Sequence, residues 1–306
     1  MLWLTWRQHR SQVLVTAALL AALGLFLLIN GLGNADLADR LAGDQNALEA
    51  ALGDRFRLVN NVLTWLPLAP ALIGLFWGAP TLAREFEKGT HRLAWTQSMS
   101  LRRWLAVKLG VLTTLVVLAG LAFGAMNSAW LATFEGSSRA EKFGNVGMFV
   151  VTGVVPAAWW LFAFVVGVAA GAAFRRTMPA IAVTLGLVIA AILSLFLFHV
   201  RENYATPERV VLADPVRSAP PNDSFVVRTE FIDANGRVVP EEVAYVECGP
   251  NRVCGFGGID PDLRQVIYYH PADRYWRFQW TETALLLAAT LALGAVAVGR
   301  TARSRI

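Results

Sequence analysis

The chain has 306 residues, 56% of them hydrophobic and only 16% charged, against about 45–50% apolar and about 25% charged in soluble globular proteins. With a mean hydropathy of +0.48, this excludes an ordinary water-soluble enzyme and an intrinsically disordered chain. The net charge is +5 and the pI 9.6. A bias of Lys and Arg toward one membrane side accounts for that sign, so no nucleic-acid partner is expected.

A transmembrane helix needs about 20 mostly apolar residues. Six stretches satisfy this: 13–32, 62–83, 109–131, 149–174, 178–198 and 281–299. No A-x-A cleavage pattern follows the first, which therefore reads as a retained span and not a signal peptide. The segment ahead of it, MLWLTWRQHRSQ, mixes Trp3, Leu4 and Trp6 with Arg7, His9 and Arg10. It reads as a short interfacial helix, or as a frayed terminus with ordinary flanking charges.

With six spans, both termini lie on one side. That side carries 13 basic residues, at Arg7 and Arg10, within 84–108, at Arg175–Arg176 and at Arg300–Arg305. Its only acids are Glu85 and Glu87, a net of +11 against −6 on the other side. Both termini are therefore expected in the cytoplasm. Trp65, Trp130, Trp276 and Trp280 near the opposite ends, with Trp95 and Trp104 near the inner ends, match an aromatic belt. Trp77, Trp159 and Trp160 lie within spans and read as packing residues.

In the first outer loop, 33–61, apolar residues recur at helical spacing through Leu37, Leu41, Leu48, Leu52, Phe56 and Val59. An amphipathic surface helix, or an extension of the second span, is expected. Pro67, Pro70 and Pro80 predict bends in that span. G-x-x-x-G occurs at Gly74–Gly78, Gly120–Gly124 and Gly167–Gly171, where contact within the chain is expected ahead of dimerisation.

Residues 199–280 are the only long polar segment. Phe225–Ile232 and Val238–Val246 are β-rich, and Asp233-Ala-Asn-Gly-Arg237 between them signals a hairpin. A short strand over Val266–Tyr269 completes a small external β-rich domain. Cys248 and Cys254, the only cysteines, fall within it. A disulfide is the favoured reading in an oxidising compartment. Zinc is the alternative, but it needs two further ligands, with His270 the nearest His.

Neither G-x-x-x-x-G-K-[ST] nor G-x-S-x-G occurs, so the chain has neither an ATP-binding P-loop nor a nucleophile elbow. The four His residues are scattered. Ionisable residues are almost absent from mid-span, with Lys108 at an inner end and Glu282 at an outer end. That disfavours ion-coupled transport and intramembrane catalysis. No catalytic residue, metal site or cofactor is expected in the chain itself.

The loop 84–108 reads REFEKGTHRLAWTQSMSLRRWLAVK. Arg84-Glu85-Phe86-Glu87-Lys88-Gly89-Thr90, then Thr96-Gln-Ser-Met-Ser100, Arg102 and Lys108, resembles the R-E-x-E-x-G-T … T-P-x-S-R … K pattern of ABC-2 type transporter permeases. Gln97 stands where many members carry Pro. The resemblance implies an all-α polytopic membrane protein in a bacterial cell membrane, organised as 1–198, the external domain 199–280 and the last span with its tail, 281–306. It implies a non-enzymatic permease of an exporter, paired as two membrane subunits (a homodimer of this chain being expected) with separate ATP-binding subunits that bind the ATP. Loop 84–108 resembles the coupling element, in which Arg84, Glu85, Glu87, Gly89 and Thr90 would meet the ATPase. Glu85 and Glu87 could instead pair with Arg84, Lys88 or Arg92. The competing function is a non-transporting membrane sensor that binds a ligand or partner through its external domain.

Overall fold

A computed structural model describes residues 2–41, 43–88, 101–134, 137, 141–212, 220–240, 244, 260 and 263–303. Cys248 and Cys254 lie outside the described residues. Two compact units divide the chain. One comprises Met1–Ala140, Val150–Phe198 and Gln279–Ile306; the other comprises Glu141–Phe149 and His199–Phe278.

The first unit is helical: α1 (Leu2–Arg40), α2 (Gln45–Leu63), α3 (Ala69–Ile73), α4 (Ala79–Glu87), α5 (Leu101–Ala132), α7 (Val155–Phe174), α8 (Thr177–Leu197) and most of α9 (Tyr275–Arg303). A short α6 (Val146–Val151) precedes α7. Six helical stretches among the described residues are long and apolar enough to cross a membrane. They are Trp6–Arg40, Gln45–Glu87, Arg103–Ala132, Val155–Phe174, Thr177–Leu195 and Ala272–Val296. The chain is a multi-pass membrane protein.

Several boundaries differ from expectation for local reasons. The N-terminal segment is helical from Leu2 and runs without a break into the first span. The amphipathic segment 33–61 is two helices, because Asp44 starts a new one: its Oδ1 accepts from Ala47 N–H at 3.0 Å. The expected apolar positions Leu52 and Val59 are buried, and Phe56 stacks on Trp130 at 5.8 Å. The fourth span begins at Val155, not 149, since Gly153 at φ +67 breaks the helix and Pro156 opens the next one. Trp65, Trp276 and Trp280 are exposed as a belt requires, whereas Trp130 is buried and donates to Asn30 Oδ1 at 2.8 Å. Trp104 is buried too.

The second span changes helix type along its length. Pro67 lies in a 3-10 turn (Leu66–Leu68), while Pro70 and Pro80 sit in the first turns of α3 and α4. Between those helices, Gly74–Gly78 forms a π-helical turn. This turn packs on α7, the most buried span. A Cβ on Gly74 would lie 2.8 Å from Ala163 O, and one on Gly167 would lie 2.5 Å from Ala79 N and 2.6 Å from Gly74 O. A Cβ on Gly171 would lie 2.7 Å from Ala79 O. From the third span, Gly120 approaches Ala157 Cα, which a Cβ would meet at 2.6 Å. The three G-x-x-x-G motifs thus meet on one helix within the chain. Ala79, Ala83, Ala170 and Ala180 extend the small-residue contact toward α8.

The last span is held differently. Gln279 is fully buried, and its Oε1 accepts from the N–H groups of Val154 and Val155, both at 2.9 Å. It supplies the cap that Val154 itself does not provide to α7. One turn on, buried Glu282 accepts from Trp159 Nε1 at 2.9 Å.

The second unit contains one antiparallel sheet, β1 (Glu208–Leu212), β2 (Phe225–Ile232), β3 (Val238–Val239) and β4 (Arg264–His270), in the order β1-β4-β2-β3. The predicted hairpin is present. Asp233 Oδ1 accepts from the N–H groups of Asn235 and Arg237, both at 2.8 Å, and Gly236 has φ +79. Among the described residues, the strand expected over Val238–Val246 pairs at Val238–Val239. Pro240 has no N–H to extend the ladder, and Ala244 N–H turns back onto Pro240 O at 3.2 Å. Asp223 Oδ1 accepts from the N–H groups of Phe143 and Gly144 at 2.6 and 3.0 Å, tying 141–149 to the start of β2. Phe143 then packs edge-on against Phe278, with centroids 5.0 Å apart.

His270 is fully buried here. Arg274 Nη1 meets its Nδ1 at 3.2 Å, and its Nε2 faces Glu202 O at 3.1 Å. A guanidinium only donates, so Nδ1 is the bare acceptor and Nε2–H donates to the carbonyl. Burial, aided by Arg274, pushes the His270 pKa below its ordinary 6.5. The folded state therefore binds this proton less readily than the unfolded chain.

Gly167→Ala forces backbone apart and is expected to cost about 1–3 kcal/mol in thermal unfolding, whereas Gly186→Ala, with nothing within 4 Å of the new Cβ, leaves the melting temperature unchanged or raised. The stability contributed around His270 is complete above pH 6.5 and declines as pH falls below it; His270→Phe is expected to flatten that decline in melts taken between pH 7.5 and 5.

Candidate functional site at the end of the second span

α4 ends in Arg84-Glu85-Phe86-Glu87, with Lys88 at its C-cap. Successive side chains on an α-helix diverge by about 100°, so Glu85, Phe86 and Glu87 address three directions. Glu85 Oε1 meets Lys108 Nζ of α5 at 2.8 Å, the two side chains being 13% and 4% exposed. Lys108 Nζ also lies 5.4 Å from the centre of the Trp104 ring. Phe86 lies under the Arg175 guanidinium, 5.6 Å from its Cζ. Arg175 closes α7 in the left-handed region at φ +55. Glu87 Oε2 accepts from Thr177 N–H at 3.2 Å and from Thr177 Oγ1–H at 2.6 Å, capping the first turn of α8.

Three consecutive residues thus bind the end of the second span to the third, the fourth and the fifth. The first span joins through Gln12, whose Nε2 donates to Phe76 O at 2.7 Å and whose Oε1 lies 2.6 Å from His9 Nδ1. Gln12, His9, Thr81, Arg84, Glu85, Lys88 and Lys108 line a cavity of about 250 Å³. Arg84 and Lys88 are exposed at it.

Of the residues assigned to the loop motif, Arg84, Glu85 and Glu87 are brought together on this helix end. Gly89 and Thr90 lie outside the described residues, as does Arg92. The expected alternatives for the two acids were a partner or the neighbouring bases; the partners found are Lys108 and Thr177. His9 was read from sequence only as a flanking charge, and Gln12 and Thr177 were not singled out. The signal available for the first two was their i, i+3 spacing at the start of an apolar helix.

A family model, ABC-2 membrane transporter related, matches residues 13–201, more than half of the chain. The chain belongs to that family. The matched region takes in the first five spans and the acid-bearing helix end, and stops ahead of the sheet. No curated protein and no solved structure matches this chain. As an ABC-2 family member it is a membrane component of transport.

Removing one member of a buried ion pair strands the other charge, at about 3–5 kcal/mol, while replacing both by apolar groups costs far less. Lys108→Met is therefore expected to lower the melting temperature of the purified chain sharply. Adding Glu85→Leu in the same chain should recover most of the loss.

Proposed function

We propose that this chain is the permease subunit of an ATP-driven exporter, working as a homodimer in a bacterial cell membrane with both termini cytoplasmic. A separate ATP-binding subunit docks on loop 84–108 and drives the spans through it. The family membership supports the transport role. The absence of a P-loop motif from the sequence supports an energy source on another chain. The lopsided distribution of basic residues supports the orientation.

The observation that carries the coupling role is the three-way tie at Glu85, Phe86 and Glu87. The loop grows directly out of this helix end. A displacement applied to the loop would therefore load the third, fourth and fifth spans together. A loop hung on one span alone would move that span alone.

The test uses Gly89→Val, which leaves the ties of Glu85 and Glu87 in place, beside Glu87→Arg, which removes the cap on α8 and reverses a charge. With normal membrane levels, ATP-dependent transport or co-purification of the ATPase is expected to fall at least tenfold in both. If both variants assemble with the ATPase and transport at the normal rate, the ATPase docks elsewhere.

A further inference from the structure

The cavity beside α4 has an electrostatic and hydrogen-bonding character that the coupling role does not use. Gln12 Nε2 donates to a backbone carbonyl, Phe76 O, so the amide oxygen is the atom facing His9. An amide oxygen carries no hydrogen, and Nδ1 of His9 must therefore be the protonated nitrogen. In neutral imidazole this leaves Nε2 as a bare acceptor. That atom is buried without a hydrogen-bond partner, on a side chain only 9% exposed that lines the cavity. A buried acceptor left unpaired is costly, and the site wants a donor.

The charges around it add a second requirement. Lys108 and Glu85 neutralise one another at 2.8 Å. Arg84 and Lys88 line the same cavity and make no ion pair among the described residues. The cavity therefore presents two cationic groups, and its wall holds one buried, unpaired acceptor. A fitting ligand carries an anion and its own O–H. The volume of about 250 Å³ equals about eight waters at about 30 Å³ each, ample for a phosphoglycerol group of about ten heavy atoms.

Position identifies the source of such a group. His9 lies in the first turns of α1 beside Trp3 and Trp6, both exposed, with the Arg7 guanidinium carbon 5.4 Å from the centre of the Trp3 ring. Exposed Trp with flanking cations at a span end marks headgroup depth. The geometry points to a binding site for the headgroup of an anionic phospholipid with a free hydroxyl, of the phosphatidylglycerol class. Its phosphate meets Arg84 and Lys88, where the Arg fork suits two phosphate oxygens, and a glycerol hydroxyl donates to His9 Nε2. The assignment is independent of the ATPase and of which leaflet faces the cytoplasm.

The experiment measures thermal unfolding of the purified full chain in detergent, titrated with phosphatidylglycerol, phosphatidylmethanol, phosphatidylcholine and soluble glycerophosphoglycerol. Phosphatidylmethanol keeps the charge and lacks the free hydroxyl. The wild-type chain is expected to be stabilised saturably by phosphatidylglycerol, with half-saturation at least tenfold lower than for phosphatidylmethanol and no saturable shift from phosphatidylcholine. His9→Phe should abolish the preference between the two anionic lipids while keeping their advantage over phosphatidylcholine. Arg84→Gln with Lys88→Gln should remove that advantage. Equal responses of the wild-type chain to phosphatidylglycerol and phosphatidylcholine, or to the two anionic lipids, overturn the proposal whether or not the variants fold. Saturation by glycerophosphoglycerol at the same concentration as the lipid overturns the membrane source in favour of a soluble phosphate ester.

Discussion

Backbone-to-backbone contact along the fourth span is the constraint on which the helical unit depends. Lipid tails are as apolar as Leu, so helices in a membrane gain little from hiding apolar side chains in one another. They gain from close packing, and packing is closest where side chains are missing. Gly167 and Gly171 present α7 to Ala79 and Gly74 with no room for a methyl group between them. The second span follows α7 through a 3-10 turn, the short α3 and a π-helical turn. Gly120 brings the third span onto the opposite end of α7 by the same means.

The six spans were legible because a bilayer imposes a length and a polarity that a linear sequence must display. The irregular stretch around Pro67 and Pro70 was legible because proline removes an N–H wherever it stands. The small-residue motifs were legible as motifs, but their partners were not: spacing along one helix carries no record of which helix lies opposite. The same limit hid the polar seam of the last span. Gln279 and Glu282 look like ordinary polar residues at a span end, and only the position of Val154, Val155 and Trp159 gives them work. In the sheet, Phe225–Ile232 and the Asp233–Arg237 turn were readable from β-branched alternation and turn chemistry. β1 was not, because Glu208-Arg-Val-Val-Leu212 is short, opens on two charged residues and becomes a strand through pairing with β4.

The acid-bearing motif shows why a charge pattern alone underdetermines a site. Two acids among many bases suggest attraction without naming the partner. Helical geometry decides it, sending Glu85 and Glu87 to different neighbours because they sit two residues apart on one helix. Each carboxylate is held by a neighbouring span within the chain.

The family match ends at residue 201, whereas the chain continues through the sheet to one more span. That division has a physical counterpart in how the last helix is attached. The second, third and fifth spans share small-residue seams with α7. α9 instead joins through side-chain acceptors, with Gln279 satisfying N–H groups that an apolar surrounding would otherwise leave unpaired. Glu282 adds a second tie of this kind, accepting from Trp159 one turn on. The last span is thus held by polar acceptors at two levels, whereas the second, third and fifth reach α7 where side chains are missing.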